Sequence, residues 1–197
     1  VMNAMNNLGE IEAHEHVLFQ GVGPLGLLAT AVARARGARS VTAIGSPRAR
    51  LELAAELGAN HILSIERANH AERLEAVRGL TCGRGADIVM EFTGHPGAFG
   101  EGLELVRKGG RYVVVGQLGD KETVIKPSTI VKNNIRVIGS FSGDARSYWQ
   151  ALEFAAQHQD QIPIHKILTG RYRLDEVNTA LDRMRRYEEV KPVIEFT

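Results

Sequence analysis

The run Val17-Leu18-Phe19-Gln20-Gly21-Val22-Gly23-Pro24-Leu25-Gly26 constrains this chain more than any other stretch. Four residues that read as a buried strand lead directly into Gly-x-Gly-x-x-Gly. An apolar helical pattern follows, with Leu25, Leu28, Ala29, Val32 and Ala33 on one face at i, i+3, i+4, i+7 and i+8. The glycine pattern alone is weak; between a strand and a helix it predicts a dinucleotide-binding turn. Gly21 permits the sharp turn, Gly23 lets backbone approach a pyrophosphate, and Gly26 lets the helix pack close to the strand. The helix N-terminus then offers unpaired N–H groups and a positive dipole end to the phosphates.

Strand and helix patterns go on alternating. Strands are expected at Ser40 to Ile44, His61 to Ser64, Asp87 to Phe92, Arg111 to Val115 and Ile135 to Gly139. Helices are expected at Arg48 to Leu57, ending at Gly58, and at Asn69 to Leu80, capped by Asn69. A further one begins at Pro96 and stops before Gly109-Gly110. Short apolar strands alternating with helices imply an α/β fold with a doubly wound parallel sheet, whose ligand crevice lies beyond the carboxyl ends of the strands. Those ends carry Gly21–Gly26, Gly45-Ser46, Phe92-Thr93-Gly94, Gly116-Gln117 and Gly139-Ser140. Glycines often just end strands; their recurrence along one edge favours an extended ligand lying against backbone.

After Ser142 the alternation stops. Asp144 to His158 reads as an amphipathic helix, and Ile167 to Tyr172 and Pro192 to Phe196 as strands flanking a helix from Leu174 to Tyr187. Residues 1–142 are therefore expected to form the nucleotide domain, and 143–197 a partial segment of a second domain packed against it. Val1 to Asn7 reads as the middle of a helix.

Composition excludes several classes of function. With 44% hydrophobic and 24% charged residues, the 197-residue chain reads as an ordinary globular protein. A net charge of +1 without a dominant basic run argues against nucleic acid as a partner. Neither a bilayer-spanning stretch nor a signal-peptide pattern is evident, so no membrane partner is expected. The single cysteine, Cys82, excludes an internal disulfide framework and a clustered-thiolate zinc site, and fits a reducing, cytoplasmic compartment. His14 and His16 form the one close histidine pair, better read as an exposed loop before the first strand than as metal ligands. Asp87 and Glu91 share one face of a strand, where hydrogen bonding is a better reading than catalysis.

The ordered set GVGPLG, RLELAAELGA, GRGADIVMEFTG and KGGRYVVVG, closing on VKPVIEF, resembles the medium-chain dehydrogenase/reductase superfamily, and within it the zinc-type alcohol dehydrogenases. The resemblance implies a Rossmann fold inserted between two parts of a catalytic domain. The large N-terminal part, which in the family supplies the zinc ligands and substrate pocket, has no counterpart here; the chain is expected to be a truncated piece, inactive alone, with zinc bound only by the missing part. No catalytic or metal residue is assigned. His95 lies near the crevice at a position that is not catalytic in the family, and reads as a loop histidine at a helix start.

The resemblance also implies a map of cofactor contacts. The pyrophosphate lies on Gly23, Pro24 and Leu25, within the turn that Gly21 and Gly26 complete. The adenosine ribose falls at Gly45 and Ser46 with Arg50 close by, and Phe92 and Thr93 line the adenine and ribose side. Val115, Gly116 and Ile138 to Ser140 approach the nicotinamide, and Lys191 reaches the pyrophosphate. Members that prefer NAD usually carry an acidic residue where this chain has Gly45. Its absence, with Ser46, Arg48 and Arg50 following, favours NADP over NAD; the plainer alternative is a solvated arginine pair that tolerates either. The implied whole protein transfers a hydride between the nicotinamide and an alcohol or carbonyl substrate that this chain does not define. The alternatives are a zinc-free quinone or enoyl reductase of the same superfamily, or a stand-alone dinucleotide-binding module. In the family the last strand pairs with its twin across a two-fold axis, so a homodimer through Ile135 to Ile138 is expected.

Overall fold

Along each central strand, successive apolar side chains enter two different cores. Val17 and Phe19 of β1 (His16–Gln20) enter one and Leu18 the other; Val41 and Ala43 of β2 (Ser40–Gly45) are likewise opposed to Ile44. Ile88 and Met90 of β4 (Ala86–Glu91) face away from Val89, and Val113 of β5 (Val106–Val114) away from Tyr112. This two-residue period, apolar at both phases, belongs to a sheet covered on both faces.

The computed structural model describes residues 1–196. With β3 (His61–Ser64) and β6 (Arg136–Gly139), these strands form a six-stranded, wholly parallel sheet in the order β3-β2-β1-β4-β5-β6. The doubly wound Rossmann arrangement read from the sequence is therefore present. Helices α1 (Met2–Leu8), α2 (Pro24–Ala35) and α3 (Arg48–Glu56) cover the first core. The second is covered by α4 (His70–Leu80), whose Asn69 and Glu72 form a reciprocal capping box, by α5 (Pro96–Leu105) and by α6 (Pro127–Asn133).

Two local expectations fail. Gly109-Gly110 does not precede a strand that begins at Arg111; it lies inside β5, which begins at Val106. The pairing with β4 jumps from Ala86↔Val106 to Ile88↔Arg111, so the intervening residues bulge outward, with Gly109 at a φ of +68°. Helix α6 has no counterpart among the expected elements, because its segment carries little apolar periodicity and none of its residues is buried.

Beyond residue 142 come α7 (Ala145–His158), capped by Asp144, and a separate two-stranded parallel sheet of β7 (Leu168–Arg173) and β8 (Lys191–Glu195). The expected helix from Leu174 to Tyr187 is a 3-10 turn over Leu174–Glu176 followed by α8 (Val177–Arg185). Ile167 and Val190 join the first core, which fastens this segment to the α2–α3 side of the sheet. No helix among the described residues is long and apolar enough to cross a membrane.

Candidate dinucleotide crevice

The β1–α2 turn is built by glycines with different tasks. Gly21 has a φ of +103°, and its N–H donates to the Ile44 carbonyl at 2.8 Å. A Cβ on Gly26 would lie 2.0 Å from the Gly21 carbonyl oxygen, so helix and strand meet too closely for any side chain. At Gly23, by contrast, a Cβ would meet nothing within 4 Å. Gly23 is also the N-cap of α2, no side chain caps this helix, and Pro24 opens its first turn with Leu25 and Gly26. Its first N–H groups are left for an outside acceptor.

Gly21, Val22 and Gly23 form one wall of a crevice of about 740 Å³ at the carboxyl ends of β1, β2 and β4. Because β1 lies between β2 and β4, this is the point where the strand order reverses. Gly45, Ser46, Phe92 and Thr93 also line it. His95 lines it too, and is the N-cap of α5, its ring Nδ1 accepting from the Gly97 N–H at 3.2 Å.

Glu91, fully buried, shapes the floor. Its Oε1 accepts from the backbone N–H of Thr93 at 2.6 Å and of Gly94 at 2.7 Å, and from the Thr93 hydroxyl at 2.5 Å. Its Oε2 accepts from the Gly116 N–H at 3.2 Å. Gly94, at a φ of +67°, and Gly116 are in backbone contact: a Cβ on Gly116 would lie 2.5 Å from the Gly94 nitrogen. Asp87, at the other end of β4, accepts from the His16 N–H at 2.8 Å and from Arg107 Nε at 2.5 Å. Burial pushes its carboxyl up, but these two hydrogen bonds together with the charges of Arg107 and Arg84 outweigh it and hold the group below the ordinary carboxylate range. Both carboxylates thus serve strand and turn hydrogen bonding.

The two arginines after β2 part company. Arg48 is exposed and its Nε donates to Glu52 at 2.8 Å, away from the crevice. Arg50 is only 8% exposed and forms part of the crevice wall. Its Nη2 donates to the Glu189 carbonyl at 2.5 Å, its Cζ sits 5.1 Å over the Tyr187 ring, and its Nε is buried without a hydrogen-bond partner. Burial draws its pKa downward.

The expected nicotinamide-side residues are not part of the crevice lining, although Gly116 touches it through Gly94. Val115 and Gly116 follow β5, their N–H groups donating to the Glu91 carbonyl at 3.0 and 3.1 Å. Ile138 is in β6, and the buried Ser140 accepts at Oγ from Asn7 Nδ2 at 3.2 Å. Lys191 opens β8 in register with Leu168 and is exposed. Sequence reasoning missed Tyr187, Ile65 and Lys121 in the crevice lining, and Asn3 and Asn7, which tie α1 to the end of β6. Only the i, i+4 spacing of the two asparagines signalled a shared face.

His14 and His16 serve different partners: His14 pairs with Glu12 at 3.4 Å, while the His16 ring hydrogen-bonds Ser40 Oγ at 2.6 Å. Among the described residues, no group of three or more His, Cys, Asp or Glu side chains is arranged to hold a metal ion.

Residues 24–157 match the family model described as zinc-binding dehydrogenase. The chain is 34% identical over its whole length to 5-exo-hydroxycamphor dehydrogenase from Pseudomonas putida, covering 55% of that protein. It is 33% identical over 84% of its length to L-threonine 3-dehydrogenase from Bacillus subtilis, covering 46% of it. In three dimensions, an alcohol dehydrogenase from Thermotoga maritima matches 98% of the chain with a TM-score of 0.92 at 33% identity, over 53% of its own length. Benzyl alcohol dehydrogenase from Acinetobacter calcoaceticus matches all of it with a TM-score of 0.86 at 26% identity, over 53% of its own length. The chain thus spans about half the length of the curated relatives it matches. By family match, by identity over its full length and by fold, this chain belongs to the zinc-binding dehydrogenases of the medium-chain dehydrogenase/reductase superfamily.

Proposed function

We propose that this chain is the dinucleotide-binding part of an NAD(P)-dependent oxidoreductase of the zinc-type alcohol dehydrogenase kind. The whole protein would move a hydride between a nicotinamide and an alcohol or carbonyl substrate in the cytoplasm. The observation that carries this reading is the uncapped N-terminus of α2 behind the open Gly23, facing a crevice at the strand-order reversal. The bound cofactor supplies the hydride chemistry. The residues bind and orient it: Gly23, Pro24 and Leu25 take the pyrophosphate, and Gly45, Ser46 and Arg50 the adenosine ribose. Phe92 and Thr93 line the ribose side. Val115, Gly116, Ile138 and Ser140 lie toward the nicotinamide, and Lys191 toward the pyrophosphate. Residues 143–197 are read as a segment of a second domain. Exposed Tyr148, Trp149 and Leu152 on α7 support this, since such a face needs cover.

NADP is the proposed preference. A Cβ on Gly45 would lie 2.6 Å from Val22 Cγ2, so a side chain at this position would have to displace Val22. Arg50 adds a buried cation at the same end of the crevice. Titration of NADPH and NADH followed by nucleotide fluorescence tests both levels. Tighter NADPH binding supports the reading, equal or NADH-favoured binding returns the preference to NAD, and binding of neither overturns the dinucleotide site.

A homodimer is proposed through the edge strand β6, where Val137 is 39% exposed and Arg136 lies open to solvent. Sedimentation should give a dimer that Val137→Glu converts to monomer; a monomeric wild type at micromolar concentration overturns it.

A further inference from the structure

The neighbours of Arg50 are unusual for a buried cation. Among the described residues it forms no salt bridge, and its Nε is buried with no hydrogen-bond partner. What holds it is neutral: the Glu189 carbonyl at 2.5 Å and the face of Tyr187 at 5.1 Å. A carboxylate would have cancelled the charge. A carbonyl and an aromatic face orient a guanidinium without neutralising its positive charge. The adjoining space is the adenosine end of the crevice, which Arg50 and Tyr187 both line beside Gly45 and Ser46.

Both holding groups come from the turn between α8 and β8, 139 positions from Arg50 in the case of Glu189. The turn is itself fixed. Tyr187 has a left-handed φ of +62°, its N–H donates to the Met184 carbonyl at 3.1 Å, and the Glu188 N–H to that of Arg183 at 3.0 Å. The Glu189 carboxylate accepts from the Tyr172 hydroxyl at 2.7 Å, anchoring the turn to β7. The Val190 N–H, donating to Thr169 Oγ1 at 2.9 Å, adds a second anchor.

We infer that Tyr187 is a specificity-determining positioning residue: it aims the Arg50 guanidinium at a phosphomonoester on the adenosine ribose, so the C-terminal segment sets the choice between NADPH and NADH. This rests on the NADP preference proposed above. The crevice end is suited to such a dianion because Arg50 brings charge, Ser46 brings a hydroxyl and Gly45 brings no competing carboxylate. Tyr187 is 61% exposed, so its replacement removes little core packing.

The test compares wild type, Tyr187→Leu and Tyr187→Phe, each titrated with NADPH and NADH at matched ionic strength. The NADPH-over-NADH affinity ratio is expected to fall about tenfold in Tyr187→Leu and to stay within about twofold of wild type in Tyr187→Phe, which keeps the ring face. A ratio unchanged in the leucine variant, or lost equally in the phenylalanine variant, overturns the role of Tyr187 while leaving the NADP preference standing. A wild type that does not favour NADPH, or binds neither nucleotide, overturns the NADP preference and this inference with it.

Discussion

The Glu91 carboxylate accepts the backbone N–H of Gly116 at 3.2 Å, so one buried side chain joins the ends of β4 and β5 beneath the crevice. Its other oxygen gathers the N–H groups of Thr93 and Gly94 and the Thr93 hydroxyl. Replacing it by alanine strands several buried donors at once, at roughly 1–3 kcal/mol for each that water does not reach. Glu91→Ala is expected to lower stability by about 3 kcal/mol, or Tm by roughly 10 °C, with weaker dinucleotide binding. Glu91→Gln should fall between, because an amide presents its NH2 to donors. Thermal denaturation checks this; an alanine variant within about 2 °C of wild type would show that the donors find other partners.

Gly23 and Gly26 belong to the same turn, yet they should give opposite results to the same substitution. Gly26→Ala places a methyl 2.0 Å from the Gly21 carbonyl oxygen, and α2 must move away from β1. Overpacking of this kind costs about 1–3 kcal/mol or more, and both stability and binding are expected to fall. Gly23→Ala meets no protein atom, so stability should stay within about 1 kcal/mol of wild type, the usual cost of alanine at an N-cap. Its methyl would occupy the space in front of the α2 N–H groups, so NADPH affinity should fall at least about tenfold. Calorimetry and fluorescence titration on the two variants separate a packing glycine from a ligand-approach glycine; intact binding in Gly23→Ala refutes the pyrophosphate placement.

The sheet and its crevice are legible in the sequence because both rest on local signals. Apolar runs such as Val17–Phe19 and Ile88–Met90 announce buried strands, and glycines at the strand ends announce the edge where a ligand lies. Where a signal has two meanings, the reading slips: Gly109-Gly110 reads as a breaker but serves as a bulge inside β5. Arg48 and Arg50 read as a pair, yet residues two apart on a helix face different ways. One pairs with Glu52 and the other sits in the wall. Tyr187 left no sequence signal, because its partner is remote in the chain and only the packing of the α8–β8 turn brings them together.

Acid should destabilise the fold in two stages. Burial depresses the pKa of His16, more than the nearby Asp87 raises it. The stability this neutral histidine contributes is present above the unfolded value of about 6.5 and is lost as pH falls through it toward the lower folded value. Asp87 is also depressed, so its contribution is complete above the unfolded carboxylate value of about 3.9 and is lost only as pH falls below it. Stability measured from pH 7 to 3 should therefore decline first through His16 and later through Asp87. His16→Asn should flatten the first stage and Asp87→Asn the second; a His16 variant with the wild-type slope between pH 7 and 5 would contradict the assignment.

Arg50 presents a conflict between stability and binding that one substitution exposes. A buried guanidinium with an unpartnered Nε and no carboxylate partner is costly to the fold, and removing it offsets the loss of its hydrogen bond to Glu189 and its contact with Tyr187. Arg50→Met is expected to leave stability unchanged or raise it by about 1 kcal/mol, while NADPH affinity falls at least about tenfold and NADH affinity changes less. Arg48→Met, on the exposed face beside Glu52, should alter neither by more than about 0.5 kcal/mol, the scale of a surface i,i+4 pair. Thermal denaturation and paired titrations on the two variants decide the matter. If Arg50→Met instead unfolds at a much lower temperature and keeps its NADPH preference, the guanidinium serves to fasten the C-terminal turn to α3, and the anion site at Gly45 and Ser46 is withdrawn.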